Sequence, residues 1–142
     1  MTLDRAMLAE KASALERHLG RIAERLPERP EDLLPASDAS DTVILHLWQA
    51  VQLVIDLAMS TCVQLRLGAP ATYADAFRML AQAGYLDQTL ADRLSKAAGF
   101  RNLVVHGYEH LDMARIHAAA KTGPVDLRAF LAELVQIQTP RG

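Results

Sequence analysis

One cysteine stands in the 142 residues, so no intramolecular disulfide and no multi-cysteine metal cluster can form. That residue, Cys62, lies in an aliphatic stretch and reads as a small buried side chain. Aromatic residues are scarce, at 5%, and no alternating apolar–polar run is long enough for a strand. Both shortages weigh against a sheet. Neither sign of charge dominates: 15 Lys and Arg against 17 Asp and Glu give −2. The overall balance therefore gives no reason to expect sequence-independent nucleic-acid binding, although a local patch stays compatible with it. The longest apolar run, 43–59, is broken by His46, Gln49, Gln52 and Asp56, too polar for a simple membrane span. The N-terminal residues alternate charge with Leu and Ala, without a secretory apolar region. A reducing, cytoplasmic setting and no membrane partner are the default expectation.

What the chain has is Ala, Leu and helical spacing, in a length suited to one domain over 1–142. Leu8, Ala12, Leu15, Leu19, Ile22 and Leu26 step by four and three, the stripe of a first helix ended by Pro27. "PERPEDLLPAS" is a connection whose Leu33 and Leu34 should fold back onto the core. Ser40 or Asp41 can cap a long second helix running to about Arg66, stopped by Gly68 and Pro70. It is apolar on most of its circumference, hence central. His46, Gln49, Gln52, Asp56 and Ser60 form a polar seam down one side, which must meet partners. "TYAD" has capping-box form and opens a third helix that Gly84 ends. Asp87 can cap a fourth. Asp112 can start a fifth, ended near Gly123, and Asp126 a last short one. The fold class is all-α, a helical bundle with a long central helix and short connections.

Polar chemistry concentrates in "GFRNLVVHGYEH", 99–110. Gly107 is a poor helix-interior residue, so Arg101 and Asn102 should occupy the last turns of the fourth helix, with His106 at its end and Tyr108 just beyond. The helix dipole favours the charged form of a C-terminal histidine, a group able to give and take protons near neutral pH. A guanidinium forks onto phosphate oxygens. Together they suit phosphodiester cleavage, His106 moving protons and Arg101 stabilising charge at phosphorus. Such a pair also commonly caps carbonyls or pairs with acids, and on spacing alone that reading stands level. "HGYEH" also fits H-x-x-E-H, a zinc-peptidase spacing. Gly107 within it argues against the regular helix that two ligating histidines need, and His117 belongs to the next helix's apolar pattern. His18, His46 and His117 read as structural, and no metal or cofactor is expected.

"GFRNLVVHGY" resembles the R-x4-H-x-Y signature of HEPN-domain proteins of the HepT type, with Arg101, His106 and Tyr108 in the three named positions. "YADAFRMLAQAGYLDQTLADRLSKAAGFRN" resembles that family's passage from third to fourth helix. "QAVQLVIDLAMS" resembles its central helix, with Ile55 and Asp56 as an Ile-Asp pair, and "LDMARIHAA" its next helix. The likeness covers most of 41–120. Gly107 departs from it, standing where an acidic residue is common in relatives. The resemblance implies a HEPN-like bundle acting as a metal-independent RNase toxin of a toxin–antitoxin pair. Its RNA site would be a cleft shared by the two motifs of a homodimer. Arg101 and His106 would be catalytic, and Asn102 a supporting residue. Tyr108 would be the site where a minimal nucleotidyltransferase antitoxin of the MNT type attaches AMP. The alternative is a non-catalytic HEPN subunit that partners such a nucleotidyltransferase.

Overall fold

The structure is a computed structural model that describes residues 3–107 and 110–138, except for the side chains of Val105, His106 and Gln138. Five helices make the bundle: α1 (Arg5–Arg25), α2 (Asp38–Gln64), α3 (Tyr73–Gln82), α4 (Gln88–Gly107) and α5 (Met113–Gln138). A short 3-10 turn, Pro30–Asp32, lies in the α1–α2 connection. Among the described residues there is no strand.

Helix α1 begins where the Asp4 carboxylate accepts from the Met7 amide at 3.2 Å. It buries Leu8, Leu15, Leu19 and Ile22, the face its spacing predicts. The cap of α2 is Ser37, three residues ahead of the expected Ser40. Its hydroxyl accepts from the Ser40 amide, and the Ser40 hydroxyl accepts from the Ser37 amide in return. Ser40 is fully buried, so its side chain closes the cap rather than opening the helix. Of the two connection leucines, Leu33 is buried and Leu34 is 60% exposed. Thr72 caps α3 by accepting from the Asp75 amide, and Asp87 caps α4 by accepting from the Leu90 amide.

Helices α2 and α3 end in the same motif. At Gly84 (φ +84°) the Tyr85 amide reaches back to the Leu80 carbonyl and the Gly84 amide to Ala81. After α2 the corresponding bonds run from Leu67 to Cys62 and from Arg66 to Val63. There the left-handed position is held by Arg66 (φ +59°), two residues before the glycine expected to end the helix.

The expected break at Gly123 does not occur, and α5 runs unbroken through Pro124. Ile116, Ala120, Leu127, Phe130, Leu131 and Leu134 keep one buried stripe in phase on both sides of the proline. Burying both halves offsets the lost ladder bond and ring clash, a cost of about 3 kcal/mol. Asp126, freed from capping, instead accepts from Arg93 of α4 at 2.9 Å.

Helix α2 touches every other helix and pairs most extensively with α1. By length and mean hydropathy (1.5) it could cross a membrane, yet half of its most apolar window is buried by its neighbours. The core continues into α3 and α5 through Phe77 and Phe130, whose rings meet edge to face at 5.7 Å.

Candidate active site around Arg101

Three helices converge on Arg101. Its position in the last two turns of α4 sets the guanidinium against the polar seam of α2, where its Nε donates to Gln52 Oε1 at 2.7 Å. Gln52 and Asp56 are one turn apart on α2 and so lie on one face. The Gln52 amide nitrogen donates to Asp56 Oδ1 at 2.9 Å. From α3, Tyr73 lies just inside the Thr72 cap, and its ring centroid is 5.4 Å from the Arg101 guanidinium carbon. Arg101 Nη1 also donates to Asn102 Oδ1 at 3.2 Å. All three partners are neutral. Among the described residues no carboxylate forms an ion pair with Arg101.

The seam also lines an open groove of about 750 Å³ between α1 and α2. Gln49, Gln52, Asp56 and Ser60 form one wall, while Lys11 and Arg17 supply positive charge from the other. The Trp48 indole nitrogen beside this groove is buried and has no partner among the described residues. A second, mostly apolar cavity of about 370 Å³ lies between α2, α4 and α5. Two cations line it, Arg93, which is paired with Asp126, and the exposed Lys96.

The other expected residues are placed as follows. Asn102 is exposed beside Arg101. The backbone of His106 lies in the last turn of α4, five residues beyond Arg101 and about 140° further round an ideal helix. Its side chain, with Tyr108 and Glu109, lies outside the described residues. Of the H-x-x-E-H pentad, the backbone of His106 and Gly107 belongs to α4, while Tyr108 and Glu109 lie outside the described residues. Among the described residues no three His, Cys, Asp or Glu side chains are placed to hold a metal ion. His117 is buried and bonded through Nε2 to the Pro27 carbonyl at 2.7 Å, tying α5 to the end of α1. Cys62 is fully buried, with its thiol toward the Ala76 carbonyl, and burial pushes its pKa up, which suits packing rather than nucleophilic attack.

Two contacts escaped sequence reading. Gln52 and Arg101 are 49 residues apart. His18 and His46 are 28 apart, yet their Nδ1 atoms meet at 3.0 Å between α1 and α2. Desolvation, then the charges of His46 and Arg17, hold His18 below the ordinary histidine pKa. Desolvation, then Arg21 and Arg17, do the same to His46. The seam itself was the signal for the first contact, since a polar stripe on a core helix requires partners. His46 belongs to the same seam and so required a partner too, but nothing local pointed to His18.

Residues 15–134 match the Ribonuclease HepT-like family. The mRNA nuclease HepT of Shewanella oneidensis is 40% identical over 73 residues, 51% of this chain. The match spans 55% of that curated relative's length. A solved tri-AMPylated HEPN toxin from Shewanella oneidensis, in complex with MNT antitoxin, superposes with a TM-score of 0.83 at 26% identity. The superposition covers 94% of this chain and 99% of that one. The cytosolic protein YutE from Bacillus subtilis has a TM-score of 0.78 at 14% identity over 97% of this chain and 96% of its own, a likeness of fold alone. A five-helix HEPN architecture, an arginine held at the end of α4 and a family match over 15–134 agree, and the chain belongs to the HepT-like ribonuclease family.

Proposed function

We propose that the chain is a metal-independent endoribonuclease toxin in which Arg101 and His106 carry the chemistry. The observation that carries this reading is the arginine itself. It is held from three helices by neutral groups, so its charge stays available to an anion. A preorganised cation of this kind, aimed where negative charge develops, is the largest single contribution to most acyl and phosphoryl transfers. In a metal-independent reaction the nucleophile at hand on RNA is the ribose 2′-hydroxyl. Its oxygen attacks the adjacent phosphorus and the 5′-oxygen leaves. His106 serves the proton transfers, Arg101 neutralises the charge gathering on the phosphoryl oxygens, and Asn102 steadies the arginine. The products are a 2′,3′-cyclic phosphate and a 5′-hydroxyl.

A solved relative supports the reading of its regulation. The solved relative is AMPylated and bound to MNT antitoxin. Here the acceptor is Tyr108: its phenolic oxygen takes AMP from ATP, releasing pyrophosphate, and the new phosphodiester places negative charge and an adenosine beside Arg101. The working unit is a cytoplasmic homodimer in which two motifs share one RNA cleft.

Purified protein incubated with total cellular RNA in excess EDTA should cleave it, and Arg101→Ala and His106→Ala should each lower the rate at least about 100-fold. Cleavage by His106→Ala at the wild-type rate overturns the catalytic assignment, and no cleavage by the wild type leaves a non-catalytic HEPN subunit. Loss of cleavage in EDTA that returns with Mg²⁺ overturns metal independence. With ATP, Mg²⁺ and the partner nucleotidyltransferase, mass spectrometry should find AMP on the wild-type chain and none on Tyr108→Phe.

A further inference from the structure

The catalytic reading of Arg101 makes its choice of bracket informative. A glutamate at position 52 would reach the guanidinium equally well and bind it more strongly, since charge-assisted hydrogen bonds are roughly twice as strong as neutral ones. It would also cancel the charge that a phosphoryl group needs. Glutamine has the same reach and no charge. An amide brings its own problem, because either its oxygen or its nitrogen can face the arginine. The flipped amide would set two donors against each other and hold nothing.

Asp56 removes that ambiguity. A carboxylate only accepts, and Asp56 Oδ1 takes the Gln52 amide nitrogen at 2.9 Å, so the carbonyl is left to face Arg101 Nε at 2.7 Å. The contact falls on Nε, and the Tyr73 ring lies against the guanidinium. Nη1 spends one hydrogen on Asn102 at 3.2 Å, which leaves Nη2 and the second hydrogen of Nη1 for a phosphate. Asp56 is itself exposed, and its negative charge stands one residue removed from the arginine, behind the amide.

We propose that Gln52 is a positioning residue for Arg101, a neutral bracket locked in one orientation by Asp56, which fixes the guanidinium without neutralising it. This rests on the ribonuclease reading above.

Gln52→Glu is the decisive variant. Its new ion pair with Arg101 is offset by the lost donation to Asp56 and by repulsion from that carboxylate, so Tm should stay near the wild-type value while kcat for cleavage of total cellular RNA falls at least about tenfold. Asp56→Leu should lower kcat several-fold with Tm unchanged, and Asp56→Asn, whose amide can accept through oxygen but can also flip to donate, should recover only part of that loss. The Arg101 Nε–H resonance in ¹H–¹⁵N NMR should be slow to exchange in the wild type and fast in Gln52→Ala, a readout that needs no activity. If Arg101→Ala abolishes cleavage while Gln52→Glu cleaves like the wild type, the bracket is overturned and the ribonuclease reading stands. If Arg101→Ala cleaves normally, the catalytic role of Arg101 falls, and the exchange measurement alone decides whether Gln52 holds the arginine. An Nε–H that exchanges equally fast in wild type and Gln52→Ala overturns the bracket in either case.

Discussion

At the scale of single residues, two polar pairs occupy the α1–α2–α4 region with opposite electrostatic characters. Gln52 holds a charge that must persist, whereas His18 and His46 share a contact that requires neutrality. With Nδ1 atoms 3.0 Å apart, one imidazole donates and the other accepts, an arrangement that double protonation destroys. Both pKa values are lowered in the folded protein by desolvation first, with Arg17 and Arg21 adding repulsion. A depressed histidine pKa means that the unfolded chain binds more protons in the window below 6.5. The pair's contribution to stability is therefore complete above pH 6.5 and is lost as pH falls from there through the folded values. Thermal melting at pH 8 and pH 5 should show a drop in Tm for the wild type and a smaller one for His18→Gln. Equal drops would mean that the pair does not titrate as described.

At the scale of elements, sequence patterns located the helices well and their ends less well. The stripe of α1, the Thr72 and Asp87 caps and the stop at Gly84 were all legible, because each uses side-chain chemistry tied to its position. The end of α2 was not, since Arg66 takes the left-handed position that usually belongs to glycine. That conformation costs a residue with a Cβ roughly 1–2 kcal/mol. Arg66→Gly should raise stability by about 0.5–1 kcal/mol after the extra chain entropy of glycine is subtracted, measurable as a higher urea midpoint. The continuity of α5 was hidden for a related reason. Gly123 and Pro124 read locally as a stop, and only the in-phase burial of Ala120 and Leu127 shows why the helix continues.

At the scale of the whole molecule, the bundle class and the cluster at the end of α4 could be read from one chain, and the motif pointed to Arg101. The helix partners of that residue could not be read. Nothing local links Gln52 to a residue 49 positions away or His18 to one 28 away; such contacts exist only once helices pack. The packing itself turns on few large side chains, since aromatics are scarce. Phe130, fully buried and edge to face with Phe77, ties α5 to α3. Phe130→Ala should cost about 3–5 kcal/mol, a large share of the roughly 5–15 kcal/mol that holds a domain folded. The urea midpoint should then fall with the slope unchanged; a changed slope would indicate a partly folded state instead.

The apolar character of α2 bears on how the chain reaches this fold. Before the bundle closes, 38–64 exposes an apolar face that another unfinished chain can bind. Its most extensive neighbour, α1, precedes it in the chain, with only the residues between Arg25 and Asp38 intervening. During synthesis the cover is therefore made before the segment that needs covering. A circular permutation that moves α1 behind α5 would keep every contact and remove that protection.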